Sequence, residues 1–521
     1  MKKNFLLIIS IIISVTASAQ VYSDIAGILY NRCTTCHHQN QHAPSFINYS
    51  DVSPYCSSVQ FNLNINKMPP WPPDTNYTRF INEHIITPSE KTAILNWTNN
   101  NCAQGDTTQA PSPPTYPQYQ LYGTPTLEIS MPVFTSNAGA DDSYVCFSLP
   151  TGLSQDRWLR AYEIVPGNSS IVHHVIVNVD TVGNTSNDLS GNCFNAPGNF
   201  GIGGYAPGAS PTVFPGIAPL KAGIRIKANS KIVMQVHYPA GSIGQQDSTK
   251  IRMYFYPIGE SGIRPVFVST PLQNWSLFIP ANTVQTFTAT YNNITLPLSF
   301  FAAFPHSHKV CTSIINYAYN GTDTIPLIRI NNWKFDWQGF YTYRSLVKIP
   351  AGYTLKSSHV FDNTTNNPEN PNNPPQLVTA GTSTTDEMLF DAFMYLTYQS
   401  GDENINIQNL LANDTLLNPL PTSVHASIPF QIYSNAYPNP FDNKIKISFN
   451  IMQDADVLVS VSNMYGSEVK IFSRGFTSAG HYETEWDGKN ESGEKVPAGV
   501  YFYSVRAGNA VTSGKMIWMP N

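Results

Sequence analysis

The chain has 521 residues, too many for one hydrophobic core, so several domains are expected. Charged residues make up only 12% and the net charge is −5, which excludes the basic footprint of a nucleic-acid-binding protein. Tyr (28), Phe (27), Pro (40) and Gly (32) are plentiful, which suits extracellular β-sheet domains with long loops.

The first residues read as an export signal over 1–19. Lys2 and Lys3 supply the positive start, Phe5 to Val15 the apolar run, and Ala17-Ser18-Ala19 the cleavage site before Gln20. No later segment is long and apolar enough to span a bilayer. The mature chain is therefore expected to pass through the periplasm and to be secreted or surface-attached. Seven cysteines permit disulfides in that oxidising setting, but the count is odd.

Residues 20–106 are expected to form a small unit. Cys33-Thr34-Thr35-Cys36-His37 has the pattern for covalent haem c attachment, with two thiols for the vinyl groups and an adjacent axial histidine. A local Cys33–Cys36 disulfide or half a zinc site are the alternatives. Met68, in Lys67-Met68-Pro69-Pro70-Trp71, is the preferred second axial ligand, because prolines stiffen the loop presenting its sulfur. His38, His42 and His84 compete for that role. Thr87-Pro88-Ser89-Glu90 predicts a helix start that carries Ile94, Leu95 and Trp97 toward a core. Over about 85 residues the unit resembles small monohaem cytochrome c domains. Cys56 and Cys102 depart from that pattern and could pair or stay as buried thiols. A proline-rich linker follows at 107–121.

From about 122 to 398 strand-like runs alternate with turn clusters, and 171–179, 231–238 and 328–330 are strand candidates. The Asn- and Pro-rich stretch 363–375 predicts a loop. Five histidines fall in three patterns here: His173-His174, His237, and His306-Ser307-His308. Residues i and i+2 of a strand share a face, so His306 and His308 form a chelating pair. Adjacent His173 and His174 reach one metal only where the strand is bulged or ends.

The order His-His, Gln-Val-His-Tyr (235–238), His-x-His, Asp-Glu-Met (386–388) resembles the copper type II ascorbate-dependent monooxygenases over about 122–405. Tyr205-Ala206-Pro207-Gly208 and Lys221-Ala222-Gly223 fit the same series. The resemblance implies two jelly-roll lobes, 122–260 and 261–405, facing each other across a solvent-filled cleft, each with one copper. It places the electron-transfer copper on His173, His174 and His237, and the oxygen-activating copper on His306, His308 and Met388. Three imidazoles suit both copper oxidation states, and a thioether favours Cu(I). In the peptide-hydroxylating branch an arginine and a tyrosine anchor the substrate carboxylate; the matching positions here hold Phe304 and Ala392. A neutral or aromatic small molecule is expected in place of a glycine-extended peptide.

A weakly patterned stretch, 406–430, precedes the last unit, 431–521. Alternation in 445–451 and 457–461 predicts a small β-sandwich, with Asp487-Gly488 as a hairpin turn. Ala436-Tyr437-Pro438-Asn439-Pro440-Phe441, Trp486-Asp487-Gly488 and Val496 to Tyr501 resemble the sorting domain of type IX secretion, which implies export by that machinery.

The expected fold is thus mainly β: two jelly-roll lobes, a helical cytochrome c-like domain before them and an Ig-like sandwich after. The expected function is copper-dependent C–H hydroxylation with O₂ and an external reductant. The haem domain, fused ahead of the first lobe, is expected to pass electrons to the first-lobe copper. The alternative is a haem/copper electron-transfer or copper-binding surface protein without turnover.

Overall fold

The computed structural model describes residues 20–39, 43–116, 119–194, 196–412, 414–417, 432–451, 455–478, 480–508 and 510–520. Residues 1–19, where an export signal is expected, His42 and most of the stretch before the last unit lie outside these residues. The chain divides into two compact units, Met1–Pro419 and Leu420–Asn521. The protein is mainly β, and no described helix is long and apolar enough to cross a membrane.

The first unit opens with helices Tyr22–Arg32, Cys56–Asn64 and Pro88–Asn99 around Tyr22, Ile25, Leu29, Ile94 and Trp97. The last helix starts as its sequence predicts: Thr87 Oγ1 accepts from the Glu90 N–H, and the Glu90 carboxylate accepts from the Thr87 N–H. Cys56 and Cys102 form a disulfide.

The first lobe packs a sheet built on strands Arg157–Val165, Leu220–Ile226 and Lys250–Phe255 against a second sheet. That second sheet runs Asp188–Gly191, Ser143–Pro150, Lys231–Tyr238, His174–Asp180, Phe200–Tyr205. A disulfide, Cys146–Cys193, ties the segment after strand Asp188–Gly191 to Ser143–Pro150. The two disulfides span 46 and 47 residues, and loop-closure entropy credits each with about 4 kcal/mol. Cys311, the odd cysteine, is a buried thiol.

In the second lobe a sheet ordered Phe267–Gln273, Phe390–Thr397, Leu298–His306, Tyr341–Ile349 faces another ordered Thr283–Tyr291, Thr354–Asn363, Cys311–Tyr319, Thr324–Ile330. The lobes do not stand apart everywhere. Phe301, Ala302, Met394 and Leu396 share one apolar core with first-lobe residues such as Phe214, whose ring lies 5.4 Å from Phe301.

The C-terminal unit is a sandwich of a three-stranded sheet (Ile432–Tyr437, Ile445–Ile451, Gly480–Trp486) and a four-stranded sheet (Glu468–Thr477, Ala455–Asn463, Gly499–Ala507, Ala510–Trp518). Asp487-Gly488 does not make the expected hairpin. The strand ending at Trp486 and the next strand, Gly499–Ala507, belong to different sheets, so the dipeptide opens a crossover. Gly488 has φ +72°, and a Cβ there would lie 2.5 Å from the Trp518 ring; close packing, as well as turn geometry, requires this glycine.

Candidate metal centres

The first-lobe site is built by strand register. His174 opens strand His174–Asp180 and lies opposite His237 on Lys231–Tyr238. His173 precedes the strand, so the alternation that would turn the neighbours apart does not apply to it. Its N–H donates to His237 O at 3.0 Å. The three Nδ1 atoms converge: His173 to His174 is 3.1 Å and His174 to His237 is 3.2 Å. Nitrogens each about 2 Å from one ion lie roughly 3 Å apart, so the cluster has the dimensions of a three-imidazole metal site. It is the cluster of three metal-capable side chains found among the described residues. Burial pushes the His173 imidazole down to about 4 and His174 well below its ordinary value, so both stay neutral and free to ligate. Asp142 Oδ2 lies 3.2 Å from His237 Nε2, and the neighbouring imidazole is the main cause holding the Asp142 carboxyl near 2. Tyr144 stacks on the His237 ring at 4.2 Å.

The second-lobe site is built where strands end. His306 closes strand Leu298–His306, and His308 lies just beyond, their rings 5.3 Å apart and nearly perpendicular. Burial pushes His306 down to about 3 and His308 to about 4. His306 Nδ1 is engaged by Gln338 Oε1 at 2.5 Å, and His308 Nδ1 by Asp386 O at 3.0 Å. Each ring therefore keeps Nε2 for a metal. Met388 precedes strand Phe390–Thr397, and Phe390 is the register partner of His306.

One buried carboxylate fastens this junction. Glu387 Oε2 accepts from the His308 N–H (2.9 Å), the Met388 N–H (3.1 Å) and Ser307 Oγ (3.1 Å). Its Oε1 accepts from the Val310 N–H (2.7 Å) and the Cys311 N–H (3.2 Å). Behind it, His359 and Asp391, both fully buried, pair at 3.1 Å across the two sheets. The other Asp391 oxygen accepts from the His306 N–H at 3.3 Å.

Loop 331–340 was not singled out in the sequence, although its density of Trp and Phe was visible. It carries Gln338, and Trp333, whose Nε1 donates to His308 O at 3.0 Å. It also carries Phe335, whose ring stacks on His173 at 5.6 Å and meets His308 edge-on at 5.8 Å. A single aromatic ring thus touches both clusters. Phe304 lies opposite Ala392 in register and 4.9 Å from the Phe340 ring, so the ground beside His306 is apolar.

In the N-terminal unit Cys33 and Cys36 are free thiols, not a disulfide. His37 Nδ1 is engaged by Pro44 O at 2.9 Å, which leaves Nε2 free to ligate. These two features fit haem c attachment. Met68 follows helix Cys56–Asn64, its N–H on Asn62 O at 3.3 Å. His38 stacks on Tyr116 at 4.0 Å, and His84 stacks on Trp71 at 5.8 Å.

No curated protein matches the chain. Among solved structures it is similar to dimeric latent PorU from Porphyromonas gingivalis (11% identity, 72% of this chain, 34% of that chain, TM-score 0.16). It is also similar to a β-glucuronidase from Faecalibacterium prausnitzii (11%, 50% and 47%, TM-score 0.13). The chain thus spans about a third of the former and half of the latter, and neither likeness defines its fold. Residues 434–510 match the FlgD Ig-like domain model. Residues 272–409, which hold His306, His308 and Met388, match the C-terminal domain of the copper type II ascorbate-dependent monooxygenases, so the second lobe is a copper-monooxygenase-like domain.

Proposed function

We propose that this protein is an exported copper monooxygenase that hydroxylates a C–H bond of a neutral, apolar small molecule with O₂. The supporting observation is the convergence of His173, His174 and His237 in a lobe next to the one that matches the copper family and carries His306, His308 and Met388. Copper at these sites would supply oxygen activation and single-electron transfer. His173, His174 and His237 would hold one ion through Nδ1, fixed by strand register and by Asp142 behind His237. His306 and His308 would hold the other through Nε2, aimed by Gln338 and Asp386 O, with Met388 as the thioether donor. Phe304, Phe340 and Ala392 would favour an apolar substrate, since none can make a charge-assisted hydrogen bond to a carboxylate.

The N-terminal unit would hold haem c through Cys33, Cys36, His37 and Met68, and the haem would supply electron entry for an external reductant. Residues 1–19 direct export, and the C-terminal sandwich is the type IX sorting domain, so the mature protein is secreted or held at the cell surface. Oxygen uptake with reductant, compared between copper-loaded and copper-free protein, tests the enzyme reading. Equal uptake in both forms would leave an electron carrier without turnover. Efficient amidation of a glycine-extended peptide would refute the substrate class.

A further inference from the structure

Chain order puts the haem-motif unit next to the first lobe, but the folded chain docks it on the second. Pro73 bridges to Ile330 and Phe80 to Tyr343. Asp74 accepts from Arg329 (2.7 Å) and Asn331 (2.8 Å), and Glu83 accepts from Arg344 (2.9 Å). Phe80 is fully buried in the second-lobe core, 5.2 Å from the Tyr343 ring. Fused modules that merely share a tether would not need a shared core, two ion pairs and strand-like pairing.

A continuous line of contacts runs through this interface. Met68 is joined by Pro69-Pro70 to Trp71. The Trp71 ring meets Tyr341 edge-on at 5.6 Å. Tyr341 Oη donates to Trp337 O at 3.2 Å, and the next residue, Gln338, reaches His306 Nδ1 at 2.5 Å. Every link is a covalent neighbour, a ring contact or a hydrogen bond, and the line ends on a ligand candidate of the second lobe. Phe335, in the same loop, continues from His308 to His173.

We propose that Trp71, Tyr341 and Gln338 form the path by which an electron leaves the haem unit for the second-lobe site on His306, His308 and Met388. This rests on the reading that the unit carries haem and the lobes carry copper. Each passage oxidises one ferrous haem to ferric and reduces one cupric ion to cuprous. An external one-electron donor, such as ascorbate, restores the ferrous haem. The first-lobe site is then reached from the second, across Phe335.

The test uses the full chain with haem and copper, and follows the haem absorption after flash photoreduction, so no substrate is needed. Haem reoxidation is expected to persist in His173→Ala, which lacks first-lobe copper, and to be lost in His306→Ala, which lacks second-lobe copper. Tyr341→Leu and Gln338→Leu should slow it several-fold, with Tyr341→Phe, which keeps the ring, in between. Electron paramagnetic resonance shows that Tyr341→Leu, Tyr341→Phe and Gln338→Leu, the last at copper well above its weakened affinity, hold both coppers and that each histidine variant holds one, and an unchanged haem spectrum shows that all are folded. Reoxidation that survives in His306→Ala but not in His173→Ala would overturn the path and leave electron entry at the first lobe. Unchanged rates in both Tyr341→Leu and Gln338→Leu would also overturn it. If copper-free wild type reoxidises as fast as the loaded protein, haem–copper coupling itself is wrong.

Discussion

The two histidine clusters reach similar burial by different construction. In the first lobe, backbone pairing does the positioning: His174 and His237 are cross-strand partners, and His173 is tied to His237 O. In the second lobe His306 is the last paired residue of its strand, opposite Phe390, and His308 lies past the end of the ladder. Side chains replace it there, with Glu387 gathering four N–H groups and Gln338 aiming His306. A site made by register inherits the rigidity of its sheet. A site made by a buried carboxylate depends on a few replaceable atoms.

The sharpest way to break the comparison is to delete ligands. His306→Ala or Met388→Ala should abolish oxygen chemistry and remove one copper while the first-lobe copper stays, because the sites share no ligand. Equal loss of both ions from a folded variant, read by metal analysis, would sink the two-site assignment. Next in size is Glu387→Gln. The new amide must turn its NH₂ toward either two or three existing donors, leaving buried N–H groups unsatisfied. It should cost about 3 kcal/mol in urea unfolding and empty the second site first. An unchanged midpoint with two coppers bound would show that the carboxylate is not the fastener.

Smaller effects come from residues behind the ligands. Gln338→Leu should weaken second-site copper, and Asp142→Asn first-site copper, each by roughly 10- to 100-fold in a competition titration. Cross-effects of equal size would mean that the sites are not independent. The smallest effect concerns the docked segment. Burial alone would raise the Glu83 carboxyl, but hydrogen bonds from Arg79 and the Phe80 N–H, with Arg344 nearby, hold it below its usual range. The Asn76 N–H, then Asn331 and Arg329, do the same for Asp74. A carboxyl whose folded value is depressed stabilises above its ordinary titration, about 4, and loses that contribution as pH falls through the folded value. Hydrogen-exchange protection around Phe80 should therefore decline below about pH 4 while that of strand Lys231–Tyr238 persists. Protection of Phe80 that is flat to lower pH would remove the ion pairs from the docking.

By itself the sequence determined what depends on local chemistry. The Thr87 cap needs only residues within one turn, strand Lys231–Tyr238 shows its β-rich apolar run, and Cys33-Thr34-Thr35-Cys36-His37 is a contiguous motif. The ligand candidates were readable because each histidine pattern is short, although their grouping rested on resemblance. What only the tertiary structure decided are contacts between residues far apart in the chain. Gln338 behind His306, Phe335 between the clusters, His359 against Asp391 and Phe80 in the second-lobe core leave no periodic or local trace. The Asp487-Gly488 hairpin expectation fails for the same reason: a dipeptide favours a turn, but sheet pairing decides where the chain goes after it. Local propensity is set by neighbours within a few residues, whereas burial and long-range hydrogen bonds exist only once separate segments have packed together.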